Sequence, residues 1–135
     1  LLALLMGKRI LLAEDNELNA EIAITILEEE GLKVEWAEDG IKCLEMLKKV
    51  PEDYYDMILM DIQMPNMDGY RLTQRIRQLG LTLPVIGVTA NALAEEKQRC
   101  LESGMDSCLS KPVTLDVIKQ TLTVYAERVR KSRES

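Results

Sequence analysis

The chain contains no histidine. That excludes imidazole acid–base catalysis, imidazole metal ligands and a phosphohistidine within the chain, so any phosphoryl chemistry falls to carboxylates. Cysteine is scarce. Cys43, Cys100 and Cys108 are odd in number and lack metal-ligand spacing, so they read as reduced, buried small residues of a cytosolic protein. Long apolar runs are missing too. The opening LLALLM falls short of a signal h-region and far short of the ~20 residues of a membrane span, and no membrane contact is expected of this domain. Positive charge is not in excess. The net charge of −6 argues against a nucleic-acid-binding face, which must neutralise phosphates. Only the closing RVRKSRES is basic, and it reads as a frayed helix end.

What is present fits one globular domain. The 135 residues are 47% hydrophobic and 30% charged, enough for a core beneath an ordinary soluble surface. Residues 1–7 read as linker or added sequence, 8–131 as the domain and 132–135 as a tail. Strand and helix patterns alternate five times. The spacing predicts strands at Lys8–Ala13, Lys33–Ala37, Met57–Met60, Pro84–Val88 and Ser107–Leu109. It predicts helices at Leu18–Glu30, Asp39–Lys49, Asp68–Leu79, Asn91–Ser103 and Thr114–Lys131. In the first helix Leu18, Ile22 and Ile26 are expected to face inward; in the third, Leu72, Ile76 and Leu79; in the last, Leu115, Ile118, Leu122, Tyr125 and Val129. Apolar strands joined by helices imply an α/β fold with a parallel sheet covered on both faces. Right-handed crossovers make it doubly wound, and five strands suit the flavodoxin-like order 2-1-3-4-5.

That order places its switch point between the first and third strands, where ligands bind beyond the strand ends. The acids Glu14 and Asp15 follow the first strand, and Asp61 ends the third. Thr89 follows the fourth strand, and Lys111 follows the fifth. Each has an ordinary explanation alone: a turn or helix cap for the acids, a strand-end hydroxyl for Thr89, a solvated charge for Lys111. Met57, Met60, Met64 and Met67 read as packing. Four strand ends carrying complementary chemistry point instead to a site for a hard cation and a phosphoryl group.

Two carboxylates about 4 Å apart repel by roughly 4 kcal/mol at an effective dielectric of about 20, so three require a cation or raised pKa values. Mg²⁺ suits them, since it takes carboxylate, water and phosphate oxygens, with the Gln63 carbonyl as a further candidate ligand. A carboxylate can be the phosphoryl acceptor. Asp61 is the central candidate, and spacing alone does not exclude Asp15. Thr89 and Lys111 would meet the phosphoryl oxygens.

From Lys8 to about Arg130, these motifs resemble a receiver domain of two-component signalling. Glu14-Asp15 matches the acidic pair, Asp61 in DIQMPNMDG the phosphoacceptor, Thr89-Ala90 the switch hydroxyl with its small neighbour, and Lys111-Pro112 the lysine motif. The resemblance implies Mg²⁺-dependent transfer from the phosphohistidine of a histidine kinase or histidine phosphotransfer domain. It also implies slow self-catalysed hydrolysis and a conformational switch. Cys108 stands where the family commonly has an aromatic switch residue, which puts that half of the switch in question. The two halves resemble receivers of two different hybrid kinases, so a chimera joined near DIQMPNMDG is expected. Two rivals follow: a signalling-silent scaffold of mixed origin, and a haloacid-dehalogenase-like phosphohydrolase. The second usually carries Asp-x-Asp where this chain has Asp61-Ile62-Gln63.

Overall fold

The computed structural model describes residues 6–65, 67–91, 93–111, 116–121 and 123–125. Its strands are β1 (Arg9–Ala13), β2 (Lys33–Ala37), β3 (Met57–Asp61), β4 (Val85–Thr89) and β5 (Ser107–Ser110). Helices α1 (Glu17–Glu29), α2 (Gly40–Lys48), α3 (Gly69–Gln78) and α4 (Ala94–Ser103) connect them, and residues 116–121 and 123–125 are helical. The sheet is parallel in the order β2-β1-β3-β4-β5, as expected. Pro112, Thr114, Leu115, Leu122, Val129 and the tail expected at 132–135 lie outside the described residues.

Alternation along each strand divides the core. Leu11, Ala13, Ile58 and Met60 face one layer with Cys43, Leu72, Ile76 and Cys100 of α2, α3 and α4. Ile10, Leu12, Met57 and Leu59 face the other with Ala20 and Leu27 of α1 and Ile118. Asn16, Asp39 and Asp68 cap three helices, their side chains accepting from the amides of Asn19, Lys42 and Arg71 at 2.8–2.9 Å.

Two glycines permit close approaches that bear on the site. A Cβ on Gly69 would stand 2.8 Å from the Ile62 Cα, so α3 starts hard against the end of β3. A Cβ on Gly87 would meet the Met105 sulfur at 2.6 Å and the Ile62 Cδ1 at 3.2 Å. Both side chains therefore sit over the bare backbone of β4.

Three expectations are corrected. In α1, Leu18 and Ile22 point outward, 64% and 52% exposed, while Ala20 and Leu27 are buried. The helix carries apolar residues on more than one face, so four-residue spacing did not fix its rotation. Leu79 is 46% exposed, because it caps α3 where the chain turns away at Gly80. Helix α4 starts at Ala94 rather than Asn91. The Asn91 amide donates to the Thr89 hydroxyl oxygen at 3.3 Å, which turns the chain before the helix begins.

Candidate functional site

The ends of β1, β3, β4 and β5 lie side by side, and each delivers one of the expected groups. Register sets Ala13 beside Met60, Asp61 beside Val88, and Thr89 beside Ser110, so the residues after these positions share one rim of the sheet. Carboxylate oxygens of Glu14, Asp15 and Asp61 all lie within 4.8 Å of one another. Asp61 and Glu14 are buried, and Asp15 is exposed. The Lys111 ammonium reaches Asp61 Oδ2 at 3.1 Å, while the Gln63 amide donates to Asp61 Oδ1 at 3.1 Å. Thr89 is buried at the last position of β4, and its carbonyl accepts from the Lys111 amide at 2.7 Å. Five of the six expected residues are thus tied directly into one cluster, and Thr89 is bonded to Lys111. Of Gln63 the structure shows the amide contact with Asp61.

The electrostatics match this crowding. The Glu14 carboxyl is pushed above its ordinary range, first by burial and then by the charge of Asp61; the Asn16 amide and Lys111 oppose the shift. The Asn16 amide donates to Glu14 Oε1 at 3.1 Å, so one residue both caps α1 and turns the Glu14 side chain. A dense set of hard oxygen donors with one exposed member suits a small divalent cation. Beside it runs a cavity of about 540 Å³, walled by Leu12, Ile22, Ile26, Leu59 and Ile118 and ending at Asp61 and Lys111.

Cys108 lies in the core, and burial followed by its contact with Cys100 pushes its thiol up to about 12. All three cysteines are free and buried, as expected. Two features escaped the sequence reading. The Trp36 indole donates to the Glu14 carbonyl at 2.7 Å. The Tyr70 hydroxyl bonds the Glu96 carboxylate, with Arg99 over the Tyr70 ring, which ties the first turn of α3 to α4. The sheet register, with Leu12 beside Trp36, was the only signal for the first; nothing in the sequence indicated the second.

The response regulator receiver domain family matches residues 10–123. The chain is a receiver domain. It is 68% identical to the sensor histidine kinase RcsC of Escherichia coli K12 over 126 residues, which is 93% of this chain and 13% of that kinase. The chain therefore spans about an eighth of that relative's length. A solution structure of the E. coli RcsC C-terminus containing its phosphoreceiver domain matches with a TM-score of 0.79 at 66% identity, covering 95% of this receiver and 94% of that chain. The crystal structure of the receiver domain of sensor histidine kinase PA1611 from Pseudomonas aeruginosa, with a magnesium ion coordinated in its active-site cleft, matches with a TM-score of 0.80 at 35% identity, covering 90% and 98%. The domain is thus a phosphorelay receiver of the kind hybrid sensor kinases carry, and neither rival reading gains support. One relative spans both sides of the expected joint, and the comparisons show no joint.

Proposed function

We propose that this receiver takes a phosphoryl group onto Asp61 from the phosphohistidine of a histidine kinase or histidine phosphotransfer domain. The observation that carries the assignment is the 3.1 Å contact of Lys111 Nζ with Asp61 Oδ2, inside a cluster of three acids. Asp61 Oδ2 faces the site, while Oδ1 is occupied by the Gln63 amide, so the carboxylate is held in one orientation for in-line attack. The phosphorus–nitrogen bond to the donor breaks as the phosphorus–oxygen bond to Asp61 forms, and the imidazole leaves with the electron pair. Lys111 pairs with Asp61 beforehand and then shifts to a phosphoryl oxygen. The Thr89 hydroxyl meets a second oxygen, and this step begins the conformational response.

Glu14, Asp15 and Asp61, with the Gln63 carbonyl, would hold Mg²⁺, which supplies neutralisation of phosphoryl charge when bound. With Cys108 at the usual aromatic position, the switch rests on Thr89 and the loop into α4. Slow self-catalysed hydrolysis is the only turnover assigned. The partner docks over α1, where Leu18 and Ile22 are outward and Ile22 lines the site's cavity. We assign residues 8–131 to the domain and the cytoplasm as its compartment; among the described residues no helix is long and apolar enough to cross a membrane.

Beryllofluoride or acetyl phosphate with Mg²⁺ tests the assignment. Amide shifts should spread from Asp61 to Thr89 and Lys111, and Asp61→Ala should abolish them. An equal response in Asp61→Ala would refute the assignment.

A further inference from the structure

The turn that carries the acidic pair is held by a residue far from it in sequence. Strand β2 lies parallel to β1 with Leu12 beside Trp36 and Ala13 beside Ala37. The Trp36 side chain reaches past its register partner, and its indole N–H donates to the Glu14 carbonyl at 2.7 Å. The Glu14 amide donates to the Ala37 carbonyl at 3.1 Å, and the Glu14 carboxylate accepts from the Asn16 amide at 3.1 Å. Both backbone groups of Glu14 and its side chain are therefore fixed.

A peptide unit is planar, so fixing the Glu14 carbonyl also fixes the direction of the Asp15 amide. Without the indole, that carbonyl would turn to water, and the Glu14–Asp15 peptide would be free to rotate. Asp15 is exposed, and among the described residues no hydrogen bond or ion pair to its carboxylate restrains it. The ring of Trp36 packs against the layer of Ile10, Leu12 and Leu27, so the donor is held in place by packing at little further entropic cost.

We propose that Trp36 is a positioning residue for the cation site: it fixes the peptide between the two acids, so that Glu14 and Asp15 are aligned before an ion arrives. This rests on the reading that the acids hold a divalent cation. Partners that orient metal ligands typically change affinity by about 10–100-fold when removed.

The test separates the donor from the ring. Trp36→Phe keeps an aromatic body and loses the N–H; Trp36→Gln loses the body and keeps an N–H donor of similar reach. Mg²⁺ affinity is measured by calorimetry, and stability by urea unfolding in EDTA. The expected result is Mg²⁺ binding weakened about tenfold in Trp36→Phe and partly restored in Trp36→Gln, although Trp36→Gln is the less stable of the two. Affinity that follows stability, or wild-type affinity in Trp36→Phe, overturns the proposal. In the unaltered metal-free protein, the indole proton should be protected from solvent exchange; rapid exchange also overturns it. If the wild type binds no Mg²⁺ while its indole proton is protected, the cation-site reading fails and takes this proposal with it.

Discussion

Replacing Asp61 by asparagine removes one charge from a place where three acids and one lysine meet. The oxygens of Glu14 and Asp15 lie within 4.8 Å of Asp61, and each repulsion amounts to about 3.5 kcal/mol at an effective dielectric of about 20. The ammonium of Lys111 at 3.1 Å returns about 5 kcal/mol on the same scale. Exposure of Asp15 and partial exposure of Lys111 weaken both sides, so attraction and repulsion nearly cancel, with a residue of repulsion. Breaking an isolated buried ion pair costs about 3–5 kcal/mol. Here, in EDTA, Asp61→Asn should leave stability unchanged or raise it by up to about 2 kcal/mol. Asparagine keeps an oxygen to accept from the Gln63 amide, so that bond survives. Mg²⁺ reverses the ranking. At about 100 times its dissociation constant, the ion stabilises the wild type by about 2.7 kcal/mol, a rise of about 10 °C in midpoint for a domain of this size. The variant should gain far less. Urea and thermal unfolding with EDTA and with Mg²⁺ supply all four values. A loss of more than about 1 kcal/mol for the variant in EDTA would refute this account of the cluster.

Three further outcomes follow from the same structure. Because the folded protein raises the Glu14 pKa above 4.5, the folded state binds the extra proton; in EDTA the wild type should lose stability relative to Glu14→Gln as pH rises from about 4.5 through the raised value. Urea titrations of both proteins between pH 4.5 and 7.5 check the sign, and parallel curves would contradict it. Gly69→Ala drives a methyl to 2.8 Å from the Ile62 backbone, so it should cost about 1–3 kcal/mol in urea unfolding and disturb the Asp61 amide in NMR spectra. Arg77 donates to the carbonyls of Gly104, Leu81 and Leu83 and pairs with Asp106 at 3.0 Å; Arg77→Ala should destabilise by about 3–5 kcal/mol, with the site's Mg²⁺ affinity unchanged at temperatures where the variant is folded.

The sheet order and the gathering of the candidate residues at one rim were legible because both depend on periodic or punctuated patterns. Apolar runs ending in Asp61 and Thr89, and caps at Asp39 and Asp68, mark element ends whatever packs around them. Rotation of α1 was not legible, because Leu18–Ile22–Ile26 and Ala20–Leu27 each satisfy helical spacing and only the tertiary contact chooses between them. The Trp36 bond to Glu14 spans 22 residues, and the Tyr70 bond to Glu96 spans 26. Such contacts require the register and the helix packing to exist first. The start of α4 was misread because a serine-or-threonine-type turn at Thr89 outcompetes a first helical turn that has no side-chain cap.

The bare stretch of β4 at Gly87 has a mechanical meaning. Ile62, bonded directly to Asp61, and Met105, two residues before β5, lean on the same patch of backbone. A side chain at position 87 would collide with both, so the two share this patch only while it stays bare. The residue after β3 and the approach to β5 therefore rest on one strip of β4 whose clearance is one missing methyl.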